Sequence, residues 1–316
     1  MNKINFLLVY TLSIFFIACK GDKSDKNTEE ASKLESIKVF AQAQPGGEHF
    51  EFDMPIDKGL DHLEVTEQQE VDIDSEELVL GVSFDNNHYA IPIRYLAGFE
   101  VANLRLNKDN YLLTWCPLVG SARIFEGELK GDNSGFDFGR GLIENNLLIV
   151  DRKTNSVWNQ LSCKSVKGEL EGERLAPMVS LQSTWEFWKN KYPDTHVIFN
   201  QDTSEAVFPE SVFNKPYYNT WIPGEKYPGN DGLHHTKNLG LGLELGDTAA
   251  FFPFEELFQK DSPISYTLNS EKLEIHFDKA GLTAWVTDSN GNMIASTLVY
   301  NWAWSKFFPT SEIYKI

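Results

Sequence analysis

The side chains with most chemistry to offer are three cysteines: Cys19, Cys116 and Cys163. Cys116 closes the run Tyr111-Leu112-Leu113-Thr114-Trp115-Cys116-Pro117. A thiol there can serve as a nucleophile or soft-metal ligand if a neighbouring base generates thiolate. It can equally be a small buried hydrophobe at a strand end. Pairing with Cys163 is a third possibility in an oxidising compartment, but spacing cannot bring the two Cα atoms within bridging distance. A second constellation is Asp151-Arg152 with Thr154, Ser156, Trp158 and Gln160, following the apolar run Leu147-Leu148-Ile149-Val150. As a binding site, Arg152 would clamp an anion and Trp158 would offer a stacking face. As structure, Asp151 would cap backbone amides, Arg152 would ion-pair locally and Trp158 would fill the core. His234-His235, with Asp231 and Lys237, form the one local histidine cluster. Adjacent His side chains diverge in an extended chain, so a shared metal would need His88 or His276. A surface loop turning at Asn230-Asp231-Gly232 is the simpler reading, and no metal or cofactor is assigned. Phosphate loops, H-E-x-x-H and G-x-S-x-G are all absent from the sequence.

Cys19 belongs to an address. Residues 1–18 carry one early charge, Lys3, then an apolar run from Phe6 to Ala18 broken by Thr11 and Ser13. That is too short for a comfortable span and suits a signal-peptide core. Ala18 before Cys19 resembles a lipoprotein cleavage box, with Phe16 where Leu is usual. Cys19 is therefore expected to be lipidated and to anchor the chain in the cell envelope, on the outer membrane, facing periplasm or surface. Residues 20–33 hold no aliphatic side chain larger than Ala, so residues 19–36 are expected to be a solvated tether. Removing residues 1–18 takes away Lys3 alone and leaves a net charge of −19, with 46 acidic side chains. Such a body repels phosphate backbones, which excludes nucleic acid as a partner. The run from Glu67 to Glu77 reads as a solvated approach to the first strand.

These residues must be positioned by a pattern written twice. Leu80-Gly81-Val82, then Pro92 and Leu96, recur as Leu241-Gly242-Leu243, then Pro253 and Leu257, at an offset of 161. Trp188, Pro193 and Thr195 recur as Trp304, Pro309 and Thr310, the Trp and Pro at an offset of 116. The first copy is thus longer by 45 residues between its landmarks. Glu77 to Phe84 and Leu239 to Leu245 read as strands, each entering a hairpin through a polar turn. Leu273 to Phe277 alternates with period two, and Asp288-Ser289-Asn290-Gly291 marks a turn between strands. Helix is scarce: Ser183-Thr184 can cap Trp185 to Lys191, and Tyr300 to Phe307 is the counterpart.

The span from Tyr111 to Phe199 resembles a bacterial and archaeal family known as domain of unknown function 3179. The segment Trp115 to Ala122, with Cys116-Pro117-Leu118 and Gly120-Ser121-Ala122, is similar to the family's Cys-Pro-Leu-Cys-Gly-Thr-Ala. Gly141-Leu142, Asn146, Asp151-Arg152, Trp158, Gln160, Trp185, Trp188 and Pro193 follow its pattern, and the repeated segments extend the resemblance over most of 77–316. The family has Trp-His-Glu upstream where this chain reads Gly98-Phe99-Glu100, and a second Cys where it has Val119. The resemblance implies that any metal or dithiol site of the family is lost or altered here, with Cys116 and Glu100 what remains of it.

The expected fold is therefore mainly β (β-rich α+β). Two diverged halves, roughly 37–205 and 206–316, are each built of short strands and hairpins and close with a short Trp-containing helix. The expected function is non-catalytic binding of a small molecule, glycan or protein in an aromatic-lined cleft near Trp158 or between the halves. The alternative is an enzyme or a thiol- or metal-dependent redox protein with its site at Cys116, Glu100 and 151–160.

Overall fold

The computed structural model describes residues 50–51, 59–61, 63–97, 99–199, 226–228 and 234–316. The signal segment, Cys19, the tether, the boundary at 205/206 and the turn at 230–232 lie outside the described residues. The protein is mainly β; the described residues form five small sheets set in a ring, with four short α-helices between them. A separate two-stranded ribbon pairs Lys226–Pro228 with His234–Thr236. His234 and His235 thus fall on a short strand, where a loop is expected from sequence.

The repeat is explicit in the hydrogen-bonding. In the first half, Leu78–Phe84 and Asn87–Pro92 form a hairpin whose turn residues Asp85 and Asn86 take φ of 49° and 63°. Asn and Asp tolerate this left-handed region better than other side chains. In the second half, Leu239–Leu245 and Thr248–Pro253 form the matching hairpin. Leu181–Thr184 pairs with the first hairpin through Leu181↔Gly81, and Thr297–Tyr300 pairs with the second through Thr297↔Gly242. A short helix follows each, Trp185–Lys191 and Asn301–Phe307. The chain then returns as a parallel strand on the hairpin's other edge, His196↔Tyr89 in one half and Glu312↔Ala250 in the other. Every one of these pairs maps onto its counterpart by the offsets of 161 and 116 found in the sequence.

One lock holds each copy. Trp188 and Trp304 lie flat over Gly81 and Gly242, where a Cβ would come within 2.2 Å and 2.3 Å of the indole carbons. Both indoles are buried, at 2% and 0% exposure. Trp188 Nε1 donates to Thr195 Oγ1 and Trp304 Nε1 to Ser311 Oγ, each at 2.8 Å. The counterpart of Thr195 is therefore Ser311 and not Thr310, because the partner must be the hydroxyl that the indole reaches seven residues on. An aromatic four residues after each Trp packs against it: Tyr192 at 4.4 Å between centroids and Phe308 at 4.0 Å.

The unequal length of the halves also has a structural meaning. Between hairpin and closing segment, the second half inserts one sheet, Ile264–Leu268, Glu271–Asp278, Thr283–Asp288 and Met293–Ile294. The first half inserts two, a three-stranded sheet over 101–126 and a sheet from Phe136 to Lys167. Glu271–Asp278 buries Leu273, Ile275 and Phe277 on one face, as its period-two alternation demands. The stretch after Glu67 is more than a solvated approach. Glu64–Glu67 is itself an edge strand on His196–Phe199, and Ile73 is buried.

Candidate functional site

Cys116 ends the strand Asp109–Cys116, and the turn that follows leads into Ser121–Glu126. This turn carries the backbone bond from Gly120 N to Cys116 O at 3.0 Å, and Gly120 takes φ of 68°. The thiol is fully buried and donates to Asn145 O at 3.6 Å. Burial, reinforced by the Glu100 carboxyl, pushes Cys116 up to about 12. Glu100 is 5% exposed, and burial holds its carboxyl well above the usual carboxylate range. Its Oε2 has no hydrogen-bond partner among the described residues. The structure therefore does bring Cys116 and Glu100 together, in surroundings that disfavour the charged form of both. Cys163 is also a free buried thiol, so the two cysteines are not bridged.

The same turn joins the halves. Val119 O accepts from Tyr300 N at 2.9 Å, and Ser121 Oγ bonds Thr297 Oγ1 at 2.9 Å. A Cβ on Gly120 would meet the Tyr300 ring at 2.8 Å. Gln182 reaches in from the closing strand: its Oε1 accepts from Ala122 N at 3.1 Å. Behind the turn runs a buried amide network. Gln160 Nε2 donates to Thr114 Oγ1 and Ser121 O, and its Oε1 accepts from Asn146 Nδ2 at 2.7 Å. Asn146 Oδ1 in turn accepts from Asn159 Nδ2 and Leu161 N. Such a network is stabilising only when its members are satisfied together.

Asp151 to Gln160 form a compact, inward-turned unit. Asp151 is 2% exposed and accepts from Thr154 N at 2.6 Å, Ser156 N at 3.2 Å and Trp158 Nε1 at 3.0 Å. Trp158 is fully buried and presents no face to solvent. Arg152 pairs with Asp137 at 2.6 Å and Asp61 at 2.9 Å, and its Nη2 donates to Gly59 O. The hydrogen bond to Asp137 raises the Arg152 pKa above the ordinary guanidinium value, so the guanidinium is charged at any working pH.

The histidines do not converge. His88 stacks on Tyr192 at 4.0 Å, whereas His276 stacks on Trp285 at 5.1 Å in a different sheet. Among the described residues, no group of three or more His, Cys, Asp or Glu side chains could hold a metal ion.

Besides a concavity of about 540 Å³ at Glu67, His88, Asp194 and His196, two others involve the second half. One, of about 500 Å³, lies within the second half and is lined by Leu239, Phe254, Phe258 and Leu282 with polar groups at its margin. The other, of about 390 Å³, opens where the halves meet. Arg123, Lys164 and Arg174 face it from the first half, Glu244 and Asp247 from the second. Glu244 bridges two guanidiniums, with Oε2 at 2.9 Å from Arg174 Nη2 and Oε1 at 3.7 Å from Arg123 Nη2. Arg123 is 6% exposed, and its Nη1 lies 2.5 Å from Cys163 Sγ. These residues were not among those singled out from sequence. The available signal was that Arg123 and Glu244 are charges set inside the largely apolar strands Ser121–Glu126 and Leu239–Leu245.

The described residues thus form a β-body made of two copies of one Gly–Trp-locked sheet, joined through the turn after Cys116. The chain belongs to the family described as "Protein of unknown function (DUF3179)", whose model matches residues 60–311. No curated protein and no solved structure matches it.

Proposed function

We propose that this chain is an envelope-anchored, non-catalytic binding protein, tethered by lipid on Cys19, whose ligand occupies the cleft between the two halves. The observation that carries this reading is the cleft at Arg123, Arg174 and Glu244. A guanidinium is costly to bury, and Arg123 is set almost wholly inside the wall of a concavity large enough for a small ligand. The lining is charged where an aromatic one is expected from sequence, because the aromatic side chains are taken up by the core and the Gly–Trp locks. Burial disfavours the thiolate of Cys116, the form a nucleophile needs, and this supports a non-catalytic role.

Thermal-shift measurements on the mature protein against a metabolite library test the reading. A ligand should raise the melting temperature in proportion to the logarithm of its concentration, and Ala295→Trp on the cleft wall should abolish the shift. A Cys116→Ser variant that folds normally but loses the cellular phenotype would overturn the proposal. So would about one copper, iron or zinc per purified chain. Cys19→Ala should release the protein from the membrane fraction; retention there would overturn the anchoring.

A further inference from the structure

We infer that the inter-half cleft is a site for a small carboxylate, gripped by Arg174 and Lys164 at the rim and Arg123 at the base; this rests on the reading of the cleft as a binding site. Three observations converge. The first is charge. The cleft holds three cationic side chains against two carboxylates, a local surplus of one positive charge on a chain whose net charge is −18. An anion drawn to this protein meets repulsion from most of the chain and attraction here.

The second is a resident model of the ligand. Glu244 already places one carboxylate oxygen toward each guanidinium, at 2.9 Å and 3.7 Å. The two arginines are thus spaced to share a carboxylate. The longer contact is too long for a good charge-assisted hydrogen bond, which runs about 2.7–2.9 Å. Glu244 therefore leaves the buried guanidinium incompletely engaged. Cys163 on the other side of Arg123 is held protonated by burial and supplies no countercharge.

The third is the placement of the rim. Lys164 and Arg174 are opposite partners in an antiparallel bridge. Cross-strand partners send their side chains to one side, so the two cations stand together over the cleft. An incoming carboxylate is met by Lys164 and Arg174 and competes with Glu244 for the arginines.

This makes Glu244 a brake on affinity and gives the test its sign. Isothermal titration of the mature protein with succinate, citrate, inorganic phosphate and neutral succinamide is the experiment. Succinate or citrate should bind and weaken with added salt, while succinamide and phosphate should not bind. Arg174→Gln, on a half-exposed side chain, should weaken binding about tenfold or more. Glu244→Gln should strengthen it by a similar factor, an effect no merely structural role for Glu244 would produce. Carboxylate binding unchanged by both variants would overturn the assignment, as would binding of phosphate alone. If the carboxylates fail but another library compound binds and is lost in Ala295→Trp, the ligand class is wrong while the cleft reading stands. If no compound binds at all, both fall.

Discussion

Gly242→Ala isolates the Gly–Trp lock. The added Cβ would sit 2.3 Å from Trp304 Cζ3 and 2.4 Å from Cε3. Ordinary carbon contacts are about 3.5–4.0 Å, so the indole must retreat by more than about 1 Å. It has nowhere easy to go: Trp304 is fully buried, stacked on Phe308 and bonded through Nε1 to Ser311 at 2.8 Å. Overpacking of this kind costs about 1–3 kcal/mol. Pulling the indole N–H from its acceptor adds about 1 kcal/mol, which places the total near 3 kcal/mol. Trp304→Phe removes the offending ring and leaves a gap. In that background Gly242→Ala should cost far less, giving a coupling of about 2 kcal/mol between the two sites. Equilibrium urea unfolding of the four proteins of the cycle, followed by circular dichroism, measures this directly. Gly81→Ala against Trp188→Phe should behave alike, since its Cβ meets that indole at 2.2 Å. Costs that simply add within about 0.5 kcal/mol would refute the lock as the element the two halves share.

Other consequences can be checked separately. Asp151→Ala strands a buried indole N–H and two backbone amides, so it should destabilise the fold by about 3–5 kcal/mol in urea melts; a cost under 1 kcal/mol would mean the unit is not built on that carboxylate. Burial raises Glu77 from 4.5 to about 7, so the folded state holds a proton there that the unfolded state releases. Its contribution is full below about 4.5 and is lost as pH rises through about 7; Glu77→Gln should flatten unfolding free energy across that window. Cys116 and Cys163, both buried and both raised, should react with a thiol reagent at the rate of global unfolding. Fast native-state labelling would contradict their placement.

The duplicated halves were legible because their landmarks are residues whose backbone or bulk admits few substitutes. Gly81 and Gly242 lack the Cβ that would strike an indole, and Trp188 and Trp304 sit at fixed distances along the chain from the segments they cover. Hairpin turns at Asp85-Asn86 and the alternation over Leu273–Phe277 were equally readable, since turn propensity and strand period are local properties. Pairing across the fold was not readable. Whether Arg152 grips a ligand or an acid depends on Asp137 and Asp61, and Asp61 lies 91 residues upstream. The sense of the returning strands His196–Phe199 and Glu312–Ile313, each parallel to the hairpin strand it pairs with, follows from the helices that carry the chain across. The cleft is the extreme case. Arg123, Arg174 and Glu244 share no motif and no spacing, and only the docking of one half on the other through Val119, Ser121, Thr297 and Tyr300 makes them neighbours. Sequence by itself determined the repeated unit and the residue types able to hold it. Tertiary structure decided which charges meet, because a charge's partner is chosen by distance in space and not along the chain.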